Sequence, residues 1–456
     1  MDVVNLRDTA SALAKRDLTA TDHVRQVLAE LDALDGTPWS NIVAARNDAA
    51  ALESAARADA ELDAGSWIGP LHGVAVAIKD NIDVAGMPTR CGSAVLADAP
   101  PARRDARIVA QLREAGAIVV AKTHLHEFAY GPTGLVNAAG PASHPHDPAL
   151  ISGGSSSGSA VLVGKGIVPL ALGTDTGCSV RTPAALCGIV GLKPSSGALP
   201  LDGVFPLSTT FDHIGLLTGD VLDAGLAWGA LPGVAHLRTP VSGLRVGVLR
   251  GGIWDIDDAE VAAALDTACR TLRDLGAEVV DTTLPETDEM LGAYPIVTGS
   301  EAYETHQRWF EDDPGRYCPP TAALLAAQAD RPASEYLRAL RAAERLRGEV
   351  LRRLRRTERL DALLTVTTGV RSAPVDSDPA ELRAPLLQRC IPFNVLGVPA
   401  LSVPAPDGHD HPVGLQVVGL TSGPGGHGSH PGESTALALA LAVEGTPDDQ
   451  MRSASP

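Results

Sequence analysis

A chain of 456 residues that is 45% hydrophobic and 20% charged is long enough to bury a large core, which excludes a disordered polymer. A net charge of −18 excludes the broad basic footprint rewarded by nucleic acid or an anionic membrane surface, and leaves small neutral or cationic ligands open. The six cysteines, at 91, 178, 187, 269, 318 and 390, lack paired spacing and read as reduced thiols of a cytoplasmic protein, not as a disulfide framework or zinc site.

The N-terminal MDVVNLRDTASALAKRDL carries acids and no apolar core, so it does not read as a secretory signal. Apolar positions at helical spacing (Leu6, Leu13, Val24, Val27, Leu28, Leu31) predict helices within 5–34, with Thr19 and Thr21 as candidate N-caps of the second. GVAVAIKD (73–80) and AGAIVVAKT (115–123) predict strands around the helical DARIVAQLREAG, a βαβ unit. Two small-residue runs follow, ISGGSSSGSA (151–160) and GTDTGCSVRTPAA (173–185). LRVGVLR (244–250) and GAEVVDTTL (276–284) flank a predicted helix at 258–274. Residues 333–366 predict a long amphipathic helix ending in a strand, and PALSVPA (399–405) with PVGLQVVG (412–419) a closing strand pair. TSGPGGHGSHPGES (421–434) reads as a mobile surface loop. The apolar TALALALAVE after it is about half the length that crosses a bilayer, so no membrane span is expected. The alternation of helices and strands predicts an α/β fold.

Several motifs tempt and fail. Residues 331–359 carry ten Arg against four Glu, but the Arg lie on several faces without alternating aromatics, so a solvated helix face is the reading. The histidines of HLHE (124–127), HPHD (144–147) and HDH (409–411) lack helical i, i+4 spacing and read as surface or loop residues; no metal is expected. GSSSG (154–158) matches G-x-S-x-G with Ser156 central, yet a proline-punctuated loop precedes it where a nucleophile elbow needs a strand. No Gly-Lys-Ser/Thr follows the glycines, which removes a P-loop. Apolar flanks argue against a flexible linker.

A reactive serine needs a base, and a desolvated lysine serves where no histidine does. The chain has five lysines, at 15, 79, 122, 165 and 193. Lys79 closes GVAVAIKD and either projects from a buried strand or snorkels to the surface.

GVAVAIKDNIDVAGMPTRCGS (73–93), AKTHLHEFAYGPTG (121–134), GGSSSGSA and LALGTDTGCSVRTPAALCGIVGLKPSSG (170–197) resemble the amidase signature family. So do the later GVFPLSTTFDHIG (203–215), DALLTVTTGVRSAP (361–374) and PFNVLGVPALSVP (392–404), in the family's order over most of the chain. The resemblance implies a central twisted mixed β-sheet surrounded by α-helices in one domain over 1–456. Within it, a helical segment is expected at 1–65, the catalytic core at 70–225, a substrate-side region at 240–420 and a loop and tail at 421–456. It also implies a Ser-cisSer-Lys triad of Ser179 as nucleophile, Ser155 as relay after a cis Gly154–Ser155 peptide, and Lys79 as base. Backbone N–H groups from Thr176 through Gly177 and Cys178 to Ser179 are the implied oxyanion hole, with Ser156, Asp175 and Arg181 in support. Phe128, Ala129 and Tyr130 are implied beside the acyl pocket. The variable wall at about 285–390 holds Tyr294, Tyr303, Trp309 and Tyr317, which admit an aryl or apolar acyl group.

The implied activity is hydrolysis of a carboxamide through an acyl-serine, without metal or organic cofactor, by a cytoplasmic protein that pairs at most with its own copy. The alternatives are the glutaminase subunit of a tRNA-dependent amidotransferase, working with a partner protein, and a catalytically impaired relative. The last arises because Gly177-Cys178-Ser179 stands where the family usually shows Gly-Gly-Ser. At positive φ a cysteine there is strained, and at negative φ its thiol only reshapes the pocket. Cys178 is also a second candidate nucleophile, with no base aligned to it by motif.

Overall fold

Short β-branched runs bounded by turn residues fold into one sheet in the computed structural model, which describes residues 5–231, 239–406, 411–421 and 430–445. Its strands are β1 (Val43–Arg46), β2 (Ala75–Lys79), β3 (Ile118–Thr123), β4 (Leu170–Thr174), β5 (Val190–Lys193) and β6 (Ile214–Thr218). They continue as β7 (Arg245–Leu249), β8 (Glu278–Thr282), β9 (Ala362–Val366), β10 (Ala400–Pro404) and β11 (Gly414–Gly419). The order across the eleven strands is β1-β3-β2-β4-β6-β5-β10-β11-β9-β7-β8, a mixed sheet surrounded by helices.

The expected βαβ unit forms, with β2 parallel to β3 around the helix Arg107–Glu114, and the second strand–helix–strand run makes another, with β7 parallel to β8 around Ala259–Asp274. β2 also runs parallel to β4. These central strands are buried at every position, as expected of parallel strands covered on both faces. At the N-terminus Thr19 caps the helix Ala20–Asp32 by accepting the Asp22 N–H at 3.0 Å.

Three expectations are corrected. The N-terminal segment is not wholly helical, because β1 adds an edge strand antiparallel to β3; its four residues, VAAR, are too short and half-buried to show a period. The β10–β11 pair lies inside the sheet between β5 and β9, because both of its outer edges find strands. Most of the expected loop at 421–434, residues 422–429, lies outside the described residues, but Pro431–Glu444 is a helix packed on β10 and β11. Proline at its first turn and a run of Leu and Ala, strong helix formers, explain that helix, and its apolar face is core.

Among the described residues no helix is long and apolar enough to cross a membrane. On the arginine-rich helix Ala333–Arg352 the side chains of Arg338, Arg341, Arg345 and Arg352 are exposed, as expected of a solvated face; Arg345 pairs with Glu289 and Glu349, and Arg353, just beyond, with Glu286 and Glu358.

Candidate active site

Because Val76 to Ile78 of β2 lie beside Leu170 to Leu172 of β4, the strands' carboxyl ends, Lys79 and Thr174, emerge together. Open α/β sheets place ligand sites at such ends. Lys79 is fully buried, and its Nζ donates to Ser155 Oγ at 2.7 Å, Thr174 Oγ1 at 2.8 Å and the Thr174 carbonyl at 3.3 Å. Burial lowers its ammonium from 10.5 to about 7, against the opposing pull of Asp175 and Asp212.

Ser155 reaches this point through the small-residue run, whose Gly154–Ser155 peptide is cis. Bulk is excluded there: a Cβ on Gly154 would lie 2.8 Å from the backbone nitrogen of Gly134. The Ser156 N–H donates to the Ser179 carbonyl at 3.1 Å and its hydroxyl to the Thr174 carbonyl at 3.3 Å. The run is thereby stitched to the end of β4 and to the turn after it, with Ser179 on that turn just ahead of the helix Arg181–Cys187.

The turn is held by a buried ion pair. Asp175 Oδ1 accepts from Arg181 Nη2 at 2.8 Å and Asn394 Nδ2 at 2.9 Å, while its Oδ2 accepts from Arg181 Nε and the Val180 N–H, both at 3.1 Å. Burial alone would raise the carboxyl, but the Arg181 guanidinium holds it well below the usual range. Arg181 also donates to the Gly177 carbonyl at 3.0 Å and to Gln416 Oε1 at 2.7 Å. The Asp175 carboxylate thus takes the Val180 and Arg181 amides, whereas the N–H groups of 176–179 find no acceptor among the described residues. Unspent amides on a fixed turn are the donors an oxyanion needs.

Ser179, 5% exposed, lines a cleft with Ala129, Tyr130, Thr176, Gly177 and Cys178. Among the described residues its hydroxyl makes no hydrogen bond, so its line to Ser155 is open here; such bonds tighten when substrate binds. Cys178 is absent from the residues at positive φ, so the strained alternative does not arise. Its thiol is fully buried, faces the Gly154 carbonyl at 4.0 Å, and is raised well above its ordinary value by burial. That disfavours a Cys178 thiolate nucleophile.

Phe128 and Ala129 adopt left-handed φ of 51° and 60°, a sparsely populated conformation for such residues. The turn delivers Ala129 and Tyr130 to the cleft but sends Phe128 behind it, into rings of His306 (4.3 Å between centroids), Phe205 (5.2 Å) and Tyr317 (5.6 Å). Phe128 therefore backs the cleft and does not line it. Of the four aromatics expected in the variable wall, Tyr294 alone lines the cleft; Tyr303, Trp309 and Tyr317 join the cluster behind. The histidines read as surface or loop residues lie in loops, with His146 exposed, but His124, His126 and His144 are buried there, and burial lowers them to about 4, 3 and 4. Among the described residues no group of His, Cys, Asp and Glu could hold a metal ion; residues 409 and 410 of HDH lie outside them.

Several site residues escaped the sequence reading. Asp212 accepts from Thr176 Oγ1 at 2.5 Å and from the Leu207 and Ser208 N–H groups, and burial raises it to about 6. Asn394 and Gln416 hold Arg181, and their signal was a lone polar residue inside an apolar run, PFNV and GLQVV. Arg383, which reaches the cleft from the helix Pro379–Leu387, had no such signal.

Residues 22–423 match the family model Amidase. The chain is 31% identical over 450 residues, 89% of this chain and 91% of the other, to a glutamyl-tRNA(Gln) amidotransferase subunit of Heliobacterium modesticaldum. A solved amidase superposes with a TM-score of 0.85 at 33% identity, covering 97% of this chain and 99% of its own. The native peptide amidase of Stenotrophomonas maltophilia superposes at 0.82 and 29% identity, covering 97% and 96%. Sheet, strand-end site and sequence likeness over most of the length agree that this chain belongs to the amidase family, whose members are amidohydrolases cleaving C–N bonds.

Proposed function

We propose that this chain hydrolyses a small carboxamide through an acyl-Ser179 intermediate. The observation that carries the reading is the 2.7 Å contact between Lys79 Nζ and Ser155 Oγ, with the amine lowered to about 7 beside the cleft that Ser179 lines. Neutral Lys79 takes a proton from Ser155 as Ser155 takes one from Ser179, and Ser179 Oγ adds to the amide carbon. The tetrahedral oxyanion is held by the amides of 176–179, devices worth about 3–4 kcal/mol per donor. The relay returns the proton to the leaving nitrogen, the C–N bond breaks, and ammonia or an amine departs. Water then adds to the acyl ester by the same relay, giving the carboxylic acid and free Ser179.

Intact mass after excess fluorophosphonate, beside Ser179→Ala, tests this. One adduct on wild type and none on the variant is expected; an adduct on both, or on neither, overturns the assignment.

A second reading, the glutaminase component of a tRNA-dependent amidotransferase, is favoured by the 31% identity to such a protein over 89% of this chain. It predicts strict glutamine preference and co-purification with a second protein.

A further inference from the structure

We infer that Arg383 reads a carboxylate on the substrate, so that the amide cleaved here belongs to the class of monoamides of short dicarboxylic acids. This rests on the reading of Ser179 as nucleophile given above.

Of the twelve residues lining the cleft, Arg383 alone carries a charge. Its Nη1 donates to the Tyr130 carbonyl at 3.1 Å, and its Cζ sits 5.5 Å from the centre of the Tyr130 ring, two contacts that aim the guanidinium. A guanidinium has five N–H donors, and among the described residues only that one finds an acceptor and no carboxylate pairs with the group. Arg90, Arg347 and Arg355 likewise donate to a single carbonyl each, but none of them lines the cleft. Three others are more fully engaged. Arg181 is spent on Asp175, Asn394, Gln416 and two carbonyls, Arg389 on the Ile253 and Asp255 carbonyls, and Arg353 on Glu286 and Glu358. Acidic residues outnumber Lys and Arg by 55 to 37, so partners for arginine are abundant in this chain, yet the cleft supplies none.

Arginine does not lose its proton, so the charge stays in a partly desolvated site until an anion arrives. Its planar fork matches a carboxylate in two parallel hydrogen bonds. Arg383 and Ser179 line the same cleft, so one molecule that meets both favours a short chain between amide and acid. No Asp or Glu lines it, so the ammonium of an amino-acid amide such as glutamine would meet no counter-charge there.

Ammonia release by the wild-type enzyme from malonamate, succinamate and glutaramate, each beside the neutral amide of equal length, tests the inference. One of the acids is expected to exceed its neutral counterpart in kcat/KM by about 100-fold, the discrimination available when a charged pair is made or left unmade. Arg383→Met should abolish that preference chiefly through KM, and Arg383→Lys should restore part of it. Where turnover is slow, protection of Ser179 from fluorophosphonate by the same pairs of amides reads the same preference. Equal use of, or equal protection by, acid and neutral amide in a wild type that labels at Ser179 overturns the role of Arg383 and leaves the amidase reading standing, as does a preference that survives Arg383→Met. Absence of both labelling and ammonia from every amide overturns the amidase reading itself, and the inference with it.

Discussion

Lys79 and Lys193 are both fully buried, both end a strand of the same sheet, and burial lowers both to about 7. They differ in what the amine touches. Lys79 faces two hydroxyls, Ser155 and Thr174, besides one carbonyl, whereas Lys193 faces the carbonyls of Pro194 at 2.9 Å and Val398 at 2.7 Å. A carbonyl only accepts, so no proton can reach Lys193 along those bonds; a hydroxyl accepts and donates, so it can hand a proton to a neutral amine. A lowered lysine marks burial, and the chemistry of its neighbours decides whether it is a base.

Replacing each lysine in turn breaks that symmetry most directly. Lys79→Met should cut kcat/KM by about 10³- to 10⁴-fold, since base and relay fail together, while Lys193→Met leaves turnover near wild type. Equal losses would mean that both positions serve the fold alone. The turn that Arg181 braces gives the next effect. A Cβ on Gly177 would sit 2.5 Å from the Tyr294 hydroxyl, so Gly177→Ala must displace the turn or the ring and should cost about 10²-fold, comparable to losing one oxyanion donor. Its neighbour is the control: Cys178→Gly keeps the N–H and removes only a buried thiol set against the Gly154 carbonyl, so turnover should stay within about tenfold. The pH profile comes third. Lys79 accepts only when neutral, so kcat/KM should fall by about tenfold per unit as pH drops below about 7. The same limb should persist in Lys193→Met; if it moves, the titration belongs to the wrong lysine.

What the sequence disclosed tracks how local the cause is. β2, the helix after it and β3 were legible because each satisfies its own period within a few residues. β1 was not, because VAAR becomes a strand only by pairing with β3 from 75 residues or more away. Lys79, Ser155 and Ser179 were singled out through the resemblance of their blocks to the amidase signature family, because composition and period alone left several serines and five lysines open. Asp212, Asn394 and Gln416 were not named, because they matter through side-chain contacts that span 36 to 235 residues of chain. Phe128 was misplaced because its left-handed φ turns the ring away from the cleft, and nothing in FAYG announces that conformation.

The smallest expected effect concerns stability and bears on both lysines. With a folded value near 7 and an ordinary value of 10.5, Lys193 stays neutral in the folded protein while the unfolded chain binds a proton between those limits. Stability from this group is therefore full above 10.5, erodes as pH falls toward 7, and changes no further below it. Lys193→Met deprives the Pro194 and Val398 carbonyls of their donor, a cost of about 1–3 kcal/mol at any pH. It also removes the erosion, so its deficit against wild type should shrink by about 1 kcal/mol per unit from pH 10 down to 7. Urea unfolding of both proteins at pH 7, 8.5 and 10 reads that slope. A deficit independent of pH would mean that Lys193 keeps its proton despite full burial among carbonyls, and burial would then no longer suffice to make Lys79 a neutral base.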